Sequence, residues 1–228
     1  MKATAIIPVK RFGEAKRRLL EALDRPQRAA LVKAMLTDVL AAVSACARVE
    51  RVIVVTGEGR AERIALAQAR RCGTPFEVLR DPNDRGHSEA ATLGIVRALF
   101  HGAECAALLP GDCPLLDPAE LDESLERMSA GRVAVVPDRH GTGTNALLLA
   151  PADAIGPAFG EGSMARHRDR AGRAGHAVAV ERLPSLALDL DTPDDLTALA
   201  AALAERPTRA PATAAELTRL GPTAGMAA

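Results

Sequence analysis

Three aspartates follow apolar segments in positions where their carboxylates can bind a divalent cation. Asp112 comes shortly after the apolar run Ala106–Leu109, and Asp189 and Asp191 alternate with leucines late in the chain. The alternation places the last two carboxylates on one face of an extended segment. Like charges that are held close together favour a divalent cation beside them, and Mg²⁺ prefers oxygen ligands. The three together predict a Mg²⁺ site.

Each aspartate also has a plainer interpretation when it is considered alone. Asp112 can serve as a turn or helix-capping residue, and Asp191 can cap a helix that continues through Pro193. For a single position the structural and the functional roles are equally favoured. Only the occurrence of three carboxylates in such positions favours the cation.

The start of the chain combines a buried strand with a basic loop. An apolar run, Ala3–Ile7, ends at Pro8, and a polar loop with several cations follows: Lys10, Arg11, Lys16, Arg17 and Arg18. Many nucleotide-binding folds begin with a short strand that delivers such a loop to one edge of a parallel sheet. The alternative is a core strand followed by a solvated loop.

Two glycine-rich segments can bind an anion through backbone N–H groups. Gly141–Asn145 offers hydroxyls without bulky side chains, and Gly160–Ser163 precedes a predicted helix. A plain hairpin turn explains the first segment equally well. No GxSxG, HExxH, GxxxxGK[ST] or GxGxxG element occurs in a supporting context. Cations and carboxylates without an evident covalent nucleophile suit nucleotidyl transfer, in which the attacking oxygen is already anionic.

Short β-branched runs that alternate with longer helical stripes predict the elements that carry these residues. The pattern favours an α/β fold with three layers and a mostly parallel, mixed sheet, which gains antiparallel strands after Arg132. A last strand is expected over Leu186–Leu190. Residues 1–205 are expected to form one domain, and residues 206–228, rich in Pro, Ala and Thr, a flexible tail.

Composition excludes several classes of function. The 228 residues carry no net charge, and there are four Phe but no Trp or Tyr, so nucleic acid and membrane surfaces are not expected partners. The four cysteines lack CxxC spacing and are interpreted as small buried side chains. No signal peptide and no membrane-spanning stretch is recognisable, which favours a cytoplasmic location.

Five groups of residues, in order, resemble the guanylyltransferases of coenzyme F420 biosynthesis, the CofC or FbiD family. The resemblance covers about residues 2–204 and is carried by Ala3–Lys10 with Ala15–Leu19, Pro110–Leu115, Pro137–Arg139 with Gly141–Leu147, Phe159 and Gly160 with Ser163, and Asp189–Leu196. It implies a nucleotide-diphospho-sugar-transferase-like fold of the GT-A or MobA-like type.

The resemblance also implies roles for individual residues. Lys16 and Asp112 would be catalytic, and Asp112, Asp189 and Asp191 would hold Mg²⁺. The nucleotide GTP would be bound by Pro8, Lys10, Lys16, Arg18, Gly86 and Ser88. The phosphate and carboxylate of a three-carbon acid would be bound by Thr144, Gly160 and Ser163.

The implied reaction is the transfer of GMP from GTP to 2-phospho-L-lactate, phosphoenolpyruvate or 3-phospho-D-glycerate, with release of pyrophosphate. A homodimer is also what the family suggests. Three positions depart from the family pattern: Arg17 replaces a Ser, Gly86-His87-Ser88 stands in place of Gly-Leu-Asn, and Cys113 replaces a Leu. The change at His87 and Ser88 leaves the choice of base less secure than the reaction type.

Two other functions stay open. The first is a MobA-like nucleotidyltransferase that has the same fold but uses another base or acceptor. The N-terminal segments of such enzymes are typically Gly-rich, whereas Pro8-Val9-Lys10 is not. A non-catalytic nucleotide-binding protein is the second. In that protein the carboxylates would be structural, and Asp112→Asn would leave ligand binding unchanged.

Overall fold

Seven strands form a single mixed sheet in the computed structural model, which describes residues 1–13 and 15–221, apart from the side chain of Arg17. The strands are β1 (Ala3–Val9), β2 (Val49–Thr56), β3 (Phe76–Arg80), β4 (Ala106–Leu108), β5 (Arg132–Pro137), β6 (Thr144–Ala150) and β7 (Ala177–Val180). Their order is β3-β2-β1-β4-β6-β5-β7.

The direction of the strands changes at β6. β1 is parallel to β2 and to β4, and β2 is parallel to β3. β6 is antiparallel to both of its neighbours, β4 and β5, while β7 is parallel to β5. The prediction of antiparallel strands after Arg132 is therefore confirmed.

Helices cover both faces of the sheet, so the predicted three-layer α/β fold is confirmed. They are α1 (Arg25–Ala45), α2 (Gly59–Ala69), α3 (His87–Phe100), α4 (Pro118–Glu126), α5 (Ser163–Arg173), α6 (Pro193–Glu205) and α7 (Pro211–Leu220). α3 and α5 share one core with the sheet, and the other helices share the core on the opposite face. Successive residues of β1 alternate between the cores, with Ile6 in one and Ile7 in the other.

α1 begins where its sequence signals predict. The Asp24 carboxylate accepts the N–H of Gln27, and the Gln27 side chain accepts the N–H of Asp24, which is a capping box. Pro26 occupies the first turn, where its missing N–H costs no hydrogen bond. The helix then buries one long apolar face against the sheet.

The chain after β7 does not form the predicted last strand. Residues 184–186 form a 3₁₀ turn, and residues 187–191 belong to no helix or strand. The Asn145 amide donates to the carbonyls of Leu186 at 2.7 Å and Ala187 at 3.4 Å. A side chain rather than a neighbouring strand therefore binds this backbone. Thr192, not Asp191, caps α6.

Residues 206–221 differ from the flexible tail predicted there, because they pack against α1. Ala210 and Thr213 are fully buried. The Asp38 carboxylate on α1 accepts the N–H of Ala212 at 3.1 Å, the N–H of Thr213 at 2.7 Å and the Thr213 hydroxyl at 2.6 Å. One carboxylate thus satisfies the first free donors of α7. The rest of the predicted tail, residues 222–228, lies outside the described residues.

The cysteines behave as the sequence predicts. Cys46, Cys105 and Cys113 are buried, Cys72 is partly exposed, and none of the four is in a disulfide. Burial raises the pKa of the Cys113 thiol well above its usual range. Within the described ranges, no helix has the length and apolar character needed to cross a membrane.

We predict that Asp38→Ala lowers the free energy of unfolding by about 1–2 kcal/mol, because three donors at the start of α7 lose their acceptor. Urea denaturation followed by circular dichroism measures the change. Asp169→Ala on α5 is the control, since it removes an exposed carboxylate paired only with Arg173 and should change stability by less than about 0.5 kcal/mol. An equal effect of the two variants would contradict the role of Asp38.

Candidate active site

A cleft of about 670 Å³ opens at the sheet edge where β1 and β4 end. It is lined by ten of the twelve residues that the sequence analysis assigned to ligands: Pro8, Lys10, Lys16, Arg18, Asp112, Thr144, Gly160, Ser163, Asp189 and Asp191. The other two, Gly86 and Ser88, do not line the cleft. The structure therefore brings residues from opposite ends of the chain to one rim.

Lys16 occupies the centre of this arrangement. Its ammonium donates to Asp112 Oδ2 and, at 2.8 Å, to Asp191 Oδ1, and its side chain is only 8% exposed. Burial acts to lower the pKa of Lys16, but the two carboxylates outweigh it and raise the pKa above its usual value. The ammonium is therefore charged throughout the physiological range.

The backbone of Lys16 has a left-handed conformation, with φ of 57°. A non-glycine residue holds this conformation only at a cost of about 1 kcal/mol or more, and such strain is concentrated at functional sites. The buried Arg28 guanidinium of α1 donates to the carbonyls of Ala15 at 3.4 Å and Lys16 at 3.3 Å. α1 thus stabilises the strained backbone at Lys16 through the Arg28 side chain.

The two late aspartates have opposite pKa shifts. Burial raises the pKa of Asp189, the charges of Asp112 and Asp191 raise it further, and a hydrogen bond from Asn145 at 3.3 Å opposes the rise. Burial also acts to raise the pKa of Asp191, but Lys16, with Arg18 and Lys10, lowers it overall. The three carboxylates therefore lie close enough to influence one another.

The carboxylates do not form a ready-made metal site. In the described part of the chain, no three His, Cys, Asp or Glu side chains are grouped so as to hold a metal ion. The Lys16 ammonium already contacts two of the three predicted ligands. Their oxygen atoms nevertheless suit a hard divalent cation, which would have to share Asp112 and Asp191 with Lys16.

His87, which the sequence analysis treated only as a departure from a pattern, lines the cleft. Its ring meets that of Phe159 edge-on, with centroids 4.6 Å apart. Burial lowers the pKa of His87 to about 4; Asp112 opposes the shift, and Lys10 and Lys16 add to it. His87 therefore presents a neutral ring to the cleft. The departure of Gly86-His87-Ser88 from the family pattern was its signal in the sequence.

Gly86 and Ser88 lie at the start of α3, on either side of the cleft residue His87. Gly86 has φ of 110°, which a residue with a side chain rarely adopts, and it directly precedes α3. The Ser88 hydroxyl accepts the N–H of Phe159 at 3.0 Å. Of these two predicted nucleotide ligands, Ser88 thus holds the loop around Phe159, and Gly86 forms the turn into α3.

The glycine-rich segment between β5 and β6 is both a turn and part of the cleft wall. Asp138 accepts the N–H of Thr142 at 3.0 Å. A Cβ atom on Gly143 would lie 2.5 Å from the Asp138 carboxylate, so the turn requires glycine there. Thr144 begins β6 and faces the cleft beside Gly160 and Ser163. The turn interpretation is therefore confirmed, and anion binding by this segment stays a prediction.

His167, on α5, lies behind the cleft residue Thr144. The side chain is fully buried, with Nε2 accepting the N–H of Ala158 at 2.8 Å and Nδ1 lying 3.0 Å from the Thr144 hydroxyl oxygen. Burial lowers the pKa of His167 to about 4, and the nearby Arg170 and Arg166 add to the shift. His167 is thus both part of the core and in contact with a residue that lines the cleft.

Solved structures of nucleotidyltransferases share the fold of this chain. Among solved structures, a nucleotidyl transferase from Methanothermobacter superposes with a TM-score of 0.61 at 20% identity, covering 90% of this chain and 98% of that one. A cytidylyltransferase from Leptospira borgpetersenii gives 0.60 at 15% identity, with coverage of 100% and 98%. These likenesses confirm the predicted class of fold.

Sequence comparison identifies the family. The family described as "Guanylyl transferase CofC like" matches residues 3–206. A phosphoenolpyruvate guanylyltransferase of Conexibacter woesei is 46% identical over 90% of this chain and 91% of its own length. A 3-phospho-D-glycerate guanylyltransferase of Phenylobacterium zucineum is 35% identical over 87% and 89%. The chain belongs to the CofC-like guanylyl transferase family.

We predict that His167 makes the protein less stable in acid. The unfolded histidine titrates near pH 6.5 but the folded one near pH 4, so unfolding takes up a proton between these values. Its contribution to stability is complete above about pH 6.5 and decreases by up to about 1.4 kcal/mol per pH unit on acidification towards pH 4.

Urea denaturation at several pH values between 4 and 7 measures this dependence. His167→Asn should have a shallower slope than the wild type by about one proton. His140→Asn, on the exposed turn after β5, controls for the loss of an imidazole elsewhere. A slope that is unchanged in His167→Asn would show that His167 does not remain neutral in the folded protein.

Proposed function

We propose that the chain transfers GMP from GTP to a phosphorylated three-carbon acid and releases pyrophosphate, as a step of coenzyme F420 biosynthesis. The observation that carries the proposal is the position of the Lys16 ammonium between Asp112 and Asp191 in a cleft that also contains Lys10 and Arg18. Family membership and the names of the relatives support the same reaction.

Lys10, Lys16 and Arg18 would neutralise the triphosphate of GTP. Positive charge placed where negative charge develops is a large source of rate enhancement in a partly desolvated site. All three residues belong to the loop after β1, so one segment would both bind the triphosphate and align its α-phosphorus.

Asp112, with Asp189 and Asp191, would hold a divalent cation, which we propose to be Mg²⁺. When bound, it would supply further charge neutralisation at the phosphates. The oxygen-only character of the three side chains supports a hard cation, and the Lys16 ammonium limits how many carboxylate oxygens remain for it.

Thr144, Gly160 and Ser163, which line the same cleft as the loop after β1, would bind the acceptor acid. An anionic phosphate oxygen of the acceptor attacks the α-phosphorus of GTP in line. The new P–O bond forms as the bond to the β-phosphate breaks, and pyrophosphate leaves with the electron pair. No proton has to be removed from the nucleophile, so the site needs positioning and charge rather than a catalytic base.

The names of the relatives give an order for testing acceptors. Phosphoenolpyruvate comes first, because the relative that shares 46% identity is named for it. 3-Phospho-D-glycerate follows through the relative at 35% identity. 2-Phospho-L-lactate, which the resemblance to the family implies, completes the panel. Each of the three carries one phosphate and one carboxylate.

His87 favours one alternative, a nucleotidyltransferase of the same fold that uses another base. Its neutral ring lines the cleft beside Phe159. Each nucleoside triphosphate should therefore be assayed with each acceptor. Pyrophosphate release with CTP, UTP or ATP but not with GTP would support this alternative. The absence of release with every pair would contradict nucleotidyl transfer altogether.

We predict that wild-type protein releases pyrophosphate from GTP in the presence of an acceptor and Mg²⁺, and that Asp112→Asn and Lys16→Met each reduce kcat by about 100-fold or more. The first variant removes a carboxylate for the cation, and the second removes the ammonium without changing side-chain length greatly. A coupled pyrophosphate assay, with and without a chelator, measures both effects.

Asp169→Asn is the matched control for Asp112→Asn, because Asp169 lies on the exposed surface of α5. It should retain wild-type activity. Circular dichroism and the urea midpoint establish that each variant is folded. Unchanged nucleotide binding in Asp112→Asn, together with no pyrophosphate release by the wild type, would favour the non-catalytic alternative over the transferase.

A further inference from the structure

Both ring nitrogens of the buried His167 contact a polar group, and the contact at Nε2 determines whether Nδ1 carries a proton. Nε2 lies 2.8 Å from the backbone nitrogen of Ala158, and Nδ1 lies 3.0 Å from the Thr144 hydroxyl oxygen. The Phe159 ring contacts the imidazole edge-on, with centroids 5.2 Å apart. The ring is therefore fixed by three neighbours, two in the loop before α5 and one at the start of β6.

A backbone N–H can only donate, so the Ala158 contact requires Nε2 to be an acceptor without a proton. The neutral imidazole must then carry its proton on Nδ1, and this N–H donates to the Thr144 oxygen. The opposite tautomer would place two N–H groups against each other at 2.8 Å. The buried site thus selects one tautomer.

The orientation of the Thr144 hydroxyl follows from that tautomer. Its oxygen accepts from His167, which leaves its own hydrogen to donate elsewhere. Thr144 has no other side-chain hydrogen bond with the described residues, and it lines the cleft. The pair resembles a nucleophile and its base, but Nδ1 is already protonated and cannot take the hydroxyl proton.

We propose that His167 is a positioning residue that makes the Thr144 hydroxyl an obligatory donor to an anionic oxygen of the acceptor substrate. The inference rests on the proposed function and deepens it, because it identifies what holds the acceptor side of the cleft in its binding state. It also requires a hydrogen-bond acceptor at this point, which a carboxylate or phosphate oxygen of the substrate would supply.

Two conservative variants separate the two contacts of the ring. In His167→Asn the side-chain amide nitrogen replaces Nδ1 and can still donate to Thr144, whereas the contact with Ala158 is lost. In His167→Gln the amide oxygen replaces Nε2 and can still accept from Ala158, whereas the donor to Thr144 is lost. The variants are matched in chemistry and differ in which contact they keep.

We predict that His167→Gln raises KM for phosphoenolpyruvate by about tenfold, the effect of losing one hydrogen bond to a charged group. KM for GTP should change by less than about twofold, and His167→Asn should stay within about threefold of wild type for both substrates. In a Thr144→Val background the difference between the Asn and Gln variants should disappear, because the hydroxyl that they orient is absent.

The reverse order, with Asn impaired and Gln near wild type, would overturn the proposal and assign His167 to holding Ala158. Equal losses in both variants, or a parallel rise in KM for GTP, would also overturn it, since a general packing role predicts that result. Thr144→Val that binds the acceptor as wild type does would contradict the donor role of the hydroxyl.

The tautomer can be measured without turnover, which separates this inference from the proposed function. Long-range ¹H–¹⁵N NMR spectra at neutral pH distinguish a proton on Nδ1 from one on Nε2, and the signal absent from His167→Asn identifies the residue. A proton on Nδ1 supports the proposal even if the protein transfers no nucleotide to any acceptor tested. A proton on Nε2 would overturn it.

Discussion

One buried ammonium, that of Lys16, neutralises two carboxylates, Asp112 from the middle of the chain and Asp191 from its C-terminal part. Without it, Asp112 and Asp191 would face each other and Asp189 across a partly desolvated cleft, at a large electrostatic cost. The strained backbone at Lys16 and the support of Arg28 are what place the ammonium there. The loop after β1 therefore depends on α1, and the loops after β4 and β7 depend on Lys16.

The sheet order explains why residues so distant in sequence meet. β1 and β4 are parallel neighbours, so the loops that carry Lys16 and Asp112 leave the sheet at the same edge. β6 runs antiparallel to β4, with Leu108 opposite Leu147, so Thr144 at its beginning reaches that edge as well. The reversal of one strand thus brings the start of β6 to the same cleft as the loop after β1.

Much of this arrangement is predictable from the sequence, because it depends on local signals. The apolar run before Pro8 indicates β1 without reference to the rest of the chain. The alternation near Asp189 predicts a strand that does not form, but it correctly indicates that Asp189 and Asp191 share a site. Cations and carboxylates at the ends of such elements then indicate one edge of a parallel sheet.

The features that could not be predicted depend on contacts distant in sequence. Asp38 lies in the polar part of a helix, and only the fold shows that it caps α7. Asn145 binds backbone carbonyls about forty residues away, in the segment after β7 where no strand forms. His87 and His167 have no spacing that marks them, and their roles follow from which loops surround them. Burial and tertiary hydrogen bonds carry no periodic signal.

The most direct test of the account is the fate of labelled oxygen in the acceptor. Phosphoenolpyruvate that carries ¹⁸O in its phosphate would be incubated with the protein, GTP and Mg²⁺, and the products analysed by mass spectrometry. Direct attack in the cleft predicts that all of the label stays in the nucleotide-linked product and none enters pyrophosphate. Label in pyrophosphate, or release of free GMP with recovery of the labelled acceptor, would contradict direct transfer to the acceptor oxygen.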